Sequence, residues 1–390
     1  MECKLKHIYL DYNATTPILP EVLKEMLPYL KNLWGNPSSP HWAGEKVKNT
    51  ITTSKERIAS TLNCDPDEIF FTSCGTESSN WVLKISNLLS AKKNKNIITT
   101  KVEHDATLNT CQFLQKYCNT DVTYLDVDHK GNLSLEQLKS SINEGTILIS
   151  VMYANNETGV IFPIKEIGEI AEKHGIPFHT DAIQAYGKIP IDLKQIKVDF
   201  LSISGHKVYS PKGIGALFIR KGKELIPFIH GGGQQRGLRS GTENIPGIVA
   251  LGKSSQIILR DFEDMYSQKL EKMRDSLENY LLNEIKGLTI NSDTANRLPN
   301  TSNICFHNIE SSALIKALSY EGIAVSAGSA CASEKESYSH VLKAMGRSKM
   351  EALSSLRISL GRGLSERDII FSAKKISYWV NKLRSFSPQQ

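Results

Sequence analysis

The sequence predicts an α/β fold in which a helix-covered sheet wound from βα units is joined to a smaller α+β unit. Three observations carry this. Helical and strand patterns alternate from residue 43 to residue 260, as a βα-wound layer requires. Residues 147–152 are apolar on both parities, which suits a strand buried on both faces. At 390 residues the chain also exceeds one comfortable core, so it should divide in two.

The first helix is expected at 43–63, where Val47, Ile51, Ile58 and Leu62 mark one face. A strand follows at 69–72, then a helix at 76–91 with Trp81, Ile85, Leu88 and Leu89 on its apolar side. Strand 97–100, helix 105–117, strand 122–125 and helix 134–142 lead to the buried strand 147–152. Helix 164–174 stops at Gly175, a residue suited to the left-handed position after a helix. The apolar run 176–180 ends at Asp181, and short strands at 200–202 and 216–219 flank a Ser/His/Gly-rich turn. From Ile245 a charged, helix-prone stretch reaches about residue 285, and the boundary between the two units is placed within it, near residue 260. Strand 301–306, helix 311–320, strand 356–359 and helix 366–383 complete the chain.

Composition narrows the function. With 40% hydrophobic and 23% charged residues the chain reads as a soluble globular enzyme. Its net charge of +6 is spread among acids, which argues against direct nucleic-acid binding and leaves room for an acidic protein partner. Seven cysteines, an odd number without a CxxC pair, argue against a disulfide framework and against a metal site. Met1-Glu2-Cys3-Lys4 runs on without a signal segment, and 147–152 is too short to cross a bilayer, so a cytoplasmic protein is expected.

The sharpest chemical signal is a lysine in context. Lys207 closes Ser204-Gly205-His206-Lys207, 26 residues after Asp181. A lysine just beyond a strand, in such a turn, suits joining an aldehyde as a Schiff base. An acid at the end of an apolar strand needs a cationic partner, and a protonated pyridine nitrogen is one. Together they point to pyridoxal phosphate (PLP), whose ring drains electrons while the protein aims it. A buried helix cap is the plainer reading of Asp181. Gln184, three residues on, is placed to reach a ring hydroxyl.

Other segments surround this pair. Phe71-Thr72-Ser73-Cys74-Gly75-Thr76-Glu77 reads as strand end, turn and helix start, which makes either an anion site or a simple N-cap. His104 stands at another strand-to-helix junction, where an imidazole either stacks on a flat cofactor and shuttles protons or merely caps. Asn155-Asn156-Glu157-Thr158-Gly159 suits a turn, and lies where open α/β sheets place ligands. Gly231-Gly232-Gly233, Arg236 and Arg239-Ser240-Gly241-Thr242 make a basic loop suited to phosphate or carboxylate. Arg357, inside an apolar strand, demands a buried anion: a bound carboxylate or an internal ion pair. In Ser326-Ala327-Gly328-Ser329-Ala330-Cys331-Ala332-Ser333 only small residues flank the cysteine, so the segment is expected to be mobile and exposed and its thiolate to travel. A buried, inert thiol is the alternative.

In order and spacing these segments resemble the cysteine desulfurases of the nitrogen-fixation and iron–sulfur-cluster type, PLP enzymes of fold type I in the class V aminotransferase group. The resemblance runs from Leu10-Asp11-Tyr12-Asn13-Ala14-Thr15-Thr16-Pro17 to about Arg384. It takes in Gly35-Asn36-Pro37-Ser38-Ser39, Thr76, Glu103-His104, Asn155-Asn156-Glu157, Asp181, 204–207, 239–242, Cys331 and 355–361. It implies a large PLP-binding domain, residues 16–260, built on a mainly parallel seven-stranded sheet. It also implies a smaller domain of residues 1–15 and 261–390 that carries the loop with the catalytic cysteine.

The resemblance further implies roles. Lys207 joins the cofactor and later moves the Cα proton, and His104 stacks on the ring as acid and base. Asp181 holds the ring nitrogen and Gln184 the ring oxygen. Gly75, Thr76, Ser204 and His206 bind the phosphate, with Thr242 supplied by the other subunit of a homodimer. Asn156, beside the cofactor, and Arg357 hold the substrate carboxylate, and Cys331 is the nucleophile. The implied reaction takes sulfur from L-cysteine, leaving L-alanine and a Cys331 persulfide for an acceptor protein. A selenocysteine lyase or another class V enzyme is the rival within the fold, and a non-catalytic sulfur-relay protein the rival outside enzymology. The acceptor is open among iron–sulfur assembly, tRNA thiolation, cofactor biosynthesis and DNA phosphorothioation. Relatives that feed an iron–sulfur scaffold often carry a longer segment than the one ending here after Ser385-Phe386-Ser387-Pro388, and Cys74 stands where the family usually has glycine or a small residue.

Overall fold

The structure, a computed structural model, describes residues 6–328 and 338–386. Strand β1 (Ile8–Tyr9) and helix α1 (Pro20–Lys31) come first, then α2 (Trp42–Leu62). Alternation follows as β2 (Ile69–Thr72), α3 (Gly75–Leu89), β3 (Asn96–Thr100), α4 (Asp105–Cys118), β4 (Asp121–Leu125) and α5 (Leu135–Ser141). It continues through β5 (Thr146–Ser150), α6 (Ile164–Lys173), β6 (Phe178–Asp181), β7 (Phe200–Ser204) and β8 (Gly215–Ile219). Helices α7 (Ile245–Glu263) and α8 (Tyr266–Glu284) lead to β9 (Leu288–Ile290), β10 (Thr301–Phe306), α9 (Ser311–Tyr320) and β11 (Ile323–Ala324). The last elements are α10 (His340–Ala344), α11 (Lys349–Leu353), β12 (Ser355–Ser359) and α12 (Glu366–Phe386).

Seven strands form the main sheet in the order β2-β8-β7-β6-β5-β3-β4. Only β8 runs antiparallel to its neighbours; the others share one direction. Strands β3, β5, β6, β7 and β8 are buried along their whole length, as strands covered by helices on both faces must be. One core, with Val47, Phe178 and Val249, lies under α2, α6 and α7. Another, with Trp81, Leu83 and Leu114, lies under α3 and α4. Trp81 is fully buried and spends its one polar atom on the Ile226 carbonyl, 2.8 Å from its Nε1.

A separate core gathers Ile8 and Leu10 with Leu277, Phe306, Leu356 and Ile376, around the three-stranded antiparallel sheet β12-β10-β9. Strand β1 reaches it by pairing in parallel with β11, so the first residues of the chain are stitched to its last third.

The structure corrects several expectations. The helix-prone stretch 245–285 is two helices, because Met265 takes a left-handed conformation (φ 52°) between them. No glycine or proline marks that break. Tertiary contacts hold it: the Arg362 guanidinium lies over the Tyr266 ring, and Ser267 donates to the Lys188 carbonyl at 2.8 Å. Helix α1 goes unforeseen although Pro20 at its first position favours a start there. Strands β1, β9 and β11 have three residues or fewer, too few to show a period.

Helix α8 is fastened to the segment before β10 by a buried ion pair. Arg297 donates through both Nη atoms to Glu278, at 2.7 and 2.6 Å, and both side chains are almost wholly buried. Removing Glu278 leaves buried Arg297 with only the longer contact to Asp275, at 3.8 Å, to balance its charge. We expect Glu278→Ala to lower the unfolding free energy by about 3 kcal/mol in chemical denaturation, and a loss below about 1 kcal/mol would contradict this.

Candidate active site

Five strands of the main sheet point their carboxyl ends at one cavity of about 270 Å³. The turn after β2 supplies Gly75 and Thr76, and the turn after β3 supplies His104. The segment after β5 brings Met152 and Asn156; β6 ends on Asp181, with Gln184 following; and β7 ends on Ser204, with His206 and Lys207 in the next turn. Arg357 enters from β12. Crevices at the carboxyl ends of parallel strands are where open α/β sheets bind ligands.

Lys207 is oriented by the N-terminal segment. Its Nζ donates to the carbonyls of Asn13 at 2.6 Å and Ala14 at 2.9 Å. The Asn13 carbonyl also accepts from Gln184 Nε2 at 3.0 Å, and the Asn13 side-chain oxygen accepts from buried Lys188 at 2.9 Å. Lys188 also donates to the Gln184 side-chain oxygen. Burial, with the charges of Lys207 and Arg357 nearby, holds the Lys188 amine well below the usual lysine range. Asn13, Ala14 and His340 line the cavity without having been given a role from the sequence, as Lys188 was not, and Cys74, noted there as a departure from the family pattern, lines it too. Each is an isolated residue whose role comes from residues far along the chain.

His104 caps a helix and also lines the cavity. Its Nδ1 accepts from the Ala106 N–H at 3.0 Å and so caps α4. An accepting Nδ1 is unprotonated, which leaves the neutral ring's hydrogen on Nε2. Asp181 is 4% exposed and accepts from the Ile183 N–H at 2.9 Å. Burial raises its carboxyl above the usual range, while His104 and Lys207 pull it back. A carboxylate so placed is stabilised by any cation that enters the cavity. Beneath it, Glu103 is fully buried and accepts from the Met152 N–H and the Thr100 hydroxyl, both at 2.9 Å. Desolvation pushes Glu103 up to about 8. Burial and the charges of Lys207 and Lys212 push His206 down to about 4.

Arg357 meets the demand of its apolar strand internally and still lines the cavity. One Nη donates to Asp11 at 2.8 Å and the other to the Asn156 carbonyl at 3.2 Å, while Nε has no partner among the described residues. The basic loop divides differently from expectation. Arg239 is spent on Glu77, at 2.9 and 3.1 Å, and the Arg236 guanidinium covers the Phe70 ring. Thr242 is exposed on the segment before α7, away from the cavity. Cys331 lies outside the described residues.

The donor set fits pyridoxal phosphate. Lys207 offers an amine for its aldehyde and Asp181 a desolvated carboxylate for its ring nitrogen. Helix α3 begins at Gly75 without a side-chain cap, so its first N–H groups, with Thr76, Ser204 and His206 around them, suit a phosphate. Gly75 packs so closely on Ile183 that a Cβ would stand 1.9 Å from its Cδ1. Residues 8–370 match the class-V aminotransferase family.

The chain belongs to that family.

A cysteine desulfurase of Trichormus azollae is 46% identical over 98% of this chain and 94% of its own. Among solved structures, a NifS-like protein is 39% identical with a TM-score of 0.91, covering 97% of this chain and all of that one. SspA in complex with cysteine is 39% identical with a TM-score of 0.79, covering 90% of this chain and 98% of that one. The fold is thus the type I fold of class-V enzymes, which work with pyridoxal phosphate.

Glu103, His179 and His206 tie the stability of the cofactor-free protein to pH in opposite senses. Folded Glu103 keeps a proton that the unfolded chain loses, so stability falls as pH rises from 4.5 towards about 8. His179, pushed down to about 3 by burial, and His206 act oppositely: the unfolded chain takes a proton that the folded one refuses, so stability falls as pH drops below 6.5. Glu103→Gln should therefore remove part of the fall in denaturation midpoint between pH ~4.5 and ~8 relative to wild type, and an unchanged pH dependence would contradict this.

Proposed function

We propose that this chain is a cysteine desulfurase: it takes sulfur from L-cysteine, releases L-alanine and holds the sulfur as a persulfide on Cys331 for an acceptor thiol. The observation that carries this reading is the convergence of Lys207, Asp181 and His104 on one cavity, in a chain whose curated relative at 46% identity is a cysteine desulfurase. Pyridoxal phosphate, when bound, withdraws electrons from the substrate Cα. The protein's own groups do the rest. The Asp181 carboxylate keeps the ring nitrogen protonated, and His104 presents its Nε2 hydrogen to the cavity. The Lys207 amine, held by two backbone carbonyls, takes the Cα proton and returns one to Cα before L-alanine leaves. The proton given up as the persulfide ionises goes to Cβ after the sulfur has left. Arg357, with Asn156 beside it, draws the substrate carboxylate to the β12 side. The Cys331 thiolate attacks the substrate sulfur; an S–S bond forms, the Cβ–S bond breaks, and its electron pair stays on Cβ until protonated. Exchange with an acceptor thiol then discharges the persulfide.

The same reading extends to assembly. We propose a large domain of residues 16–260 and a smaller one of 1–15 and 261–390, supported by the separate core of Ile8, Leu10 and residues between 270 and 380, while Leu298, Val341, Leu342, Met345 and Ala352 pack into the main core. We propose a homodimer in which Thr242, exposed and away from its own cavity, serves the partner's phosphate site. A cytoplasmic setting is supported by the free thiols of Cys64, Cys74, Cys111, Cys118 and Cys305 among the described residues. The acceptor is a protein thiol.

Two variants test the chemistry. Cys331→Ser should keep the cofactor's absorbance band yet lose alanine formation from L-cysteine by ~10³-fold or more. Full alanine release by that variant would end the persulfide reading. Asp181→Ala should loosen the cofactor on dialysis, and undiminished retention with full activity would count against the ring-nitrogen role.

A further inference from the structure

Glu157 is a carboxylate that the proposed chemistry does not use, and it is wholly buried. Burying an acid is costly unless it is paired or hydrogen-bonded. Its Oε2 accepts from the Ser339 hydroxyl at 2.6 Å, while Oε1 has no partner among the described residues. The same Oε2 presses on Gly328: a Cβ there would stand 2.7 Å from it, and 3.9 Å from the Ser339 Cβ. Gly328 and Ser339 flank the segment that carries Cys331, so one side chain touches both of its stems.

Each stem is tied to the cavity wall. On the first, Ser326 and Arg357 exchange backbone hydrogen bonds at 3.2 and 2.7 Å, and the Ser326 hydroxyl donates to the Gly328 carbonyl at 3.3 Å. On the second, Ser339 caps α10 through the Leu342 N–H at 3.1 Å. The next residue, His340, lines the cavity with its Nε2 3.0 Å from the Glu103 carbonyl. The turn bearing Glu157 is itself rigid: the Asn155 side-chain oxygen accepts from the N–H groups of Glu157 at 2.9 Å and Thr158 at 3.0 Å. That turn also presents Asn156 to the cavity.

We propose that Glu157 is a positioning residue that clasps the two stems of the Cys331 segment against the rim of the cavity, and so sets the approach of the thiol to substrate sulfur. This rests on Cys331 being the sulfur acceptor. The clasp acts on the transfer and not on substrate capture, because Glu157 itself does not line the cavity.

The test uses the cofactor-loaded protein with Glu157→Ala, Ser339→Ala and the double variant. Each single variant should lower kcat for alanine formation on the order of 10- to 100-fold, with L-cysteine affinity, read from the cofactor's absorbance change, within about twofold of wild type. Because both side chains serve one contact, the double variant should be no slower than the slower single. Unchanged kcat in both singles, or losses that multiply in the double, would overturn the clasp. If Glu157→Ala fails to fold, Ser339→Ala alone decides by the same kcat and affinity criteria. If the wild-type protein makes no alanine from L-cysteine, the desulfurase reading fails by itself. The clasp is then judged by the alkylation rate of Cys331 in the resting protein, located by peptide mass spectrometry. A rise of about threefold in both singles supports it, and unchanged rates overturn it.

Discussion

The carbonyl oxygen of Asn13 accepts from Lys207 at 2.6 Å and from Gln184 at 3.0 Å, and the rest of that residue is committed as fully. Its N–H donates to the Ser359 hydroxyl and its amide nitrogen to Thr301 Oγ1, both at 2.9 Å, and the same nitrogen reaches the Asn156 carbonyl at 3.2 Å. Its side-chain oxygen accepts from Lys188 at 2.9 Å and Asn300 at 3.1 Å. A residue 1% exposed thus joins the main sheet, the three-stranded sheet and the lysine turn. Every other feature of the site depends on that junction, because it decides where the amine points. Buried polar networks of this kind are rigid when every member is satisfied, and costly when one is lost.

The charges of the site obey the same economy of burial. Asp181, Glu103 and Glu157 are carboxyl groups with almost no access to water, and desolvation raises all three. They are kept tolerable differently. Glu103 has hydrogen-bond donors from backbone and hydroxyl, Glu157 has the Ser339 hydroxyl, and Asp181 has one backbone N–H and an open cavity in front. Only Asp181 is left to be completed by a ligand. Arg357, by contrast, is already paired with Asp11, so a bound carboxylate shares that guanidinium with a resident one.

Much of this was legible in the sequence because strand-end residues announce themselves. Lys207, Asp181, His104 and Asn156 each follow an apolar run, and the fold carries all four to one edge of the sheet. The helix and strand alternation from 43 to 219 was readable because the helices there bury one periodic face and the strands between them are short apolar runs. What stayed hidden was whatever depends on distant partners. Asn13 and Lys188 are polar residues without periodic context, and their meaning comes from contacts with positions up to 346 residues away. The left-handed Met265 breaks a stretch that local propensity would continue. Arg239 looked like an anion binder until the fold brought Glu77 beside it.

The pairing of β1 with β11, and of Asn13 with residues near position 359, has a bearing on how the protein is born. During synthesis the main sheet can assemble once the chain has passed residue 219, and Thr16 can already meet the lysine turn at His206, but the anchor at Asn13 then lacks Asn300, Thr301 and Ser359. That anchor is seated by partners that leave the ribosome last. The support of the reactive amine is therefore completed only when translation is nearly finished, and half-made chains hold its anchor on fewer hydrogen bonds.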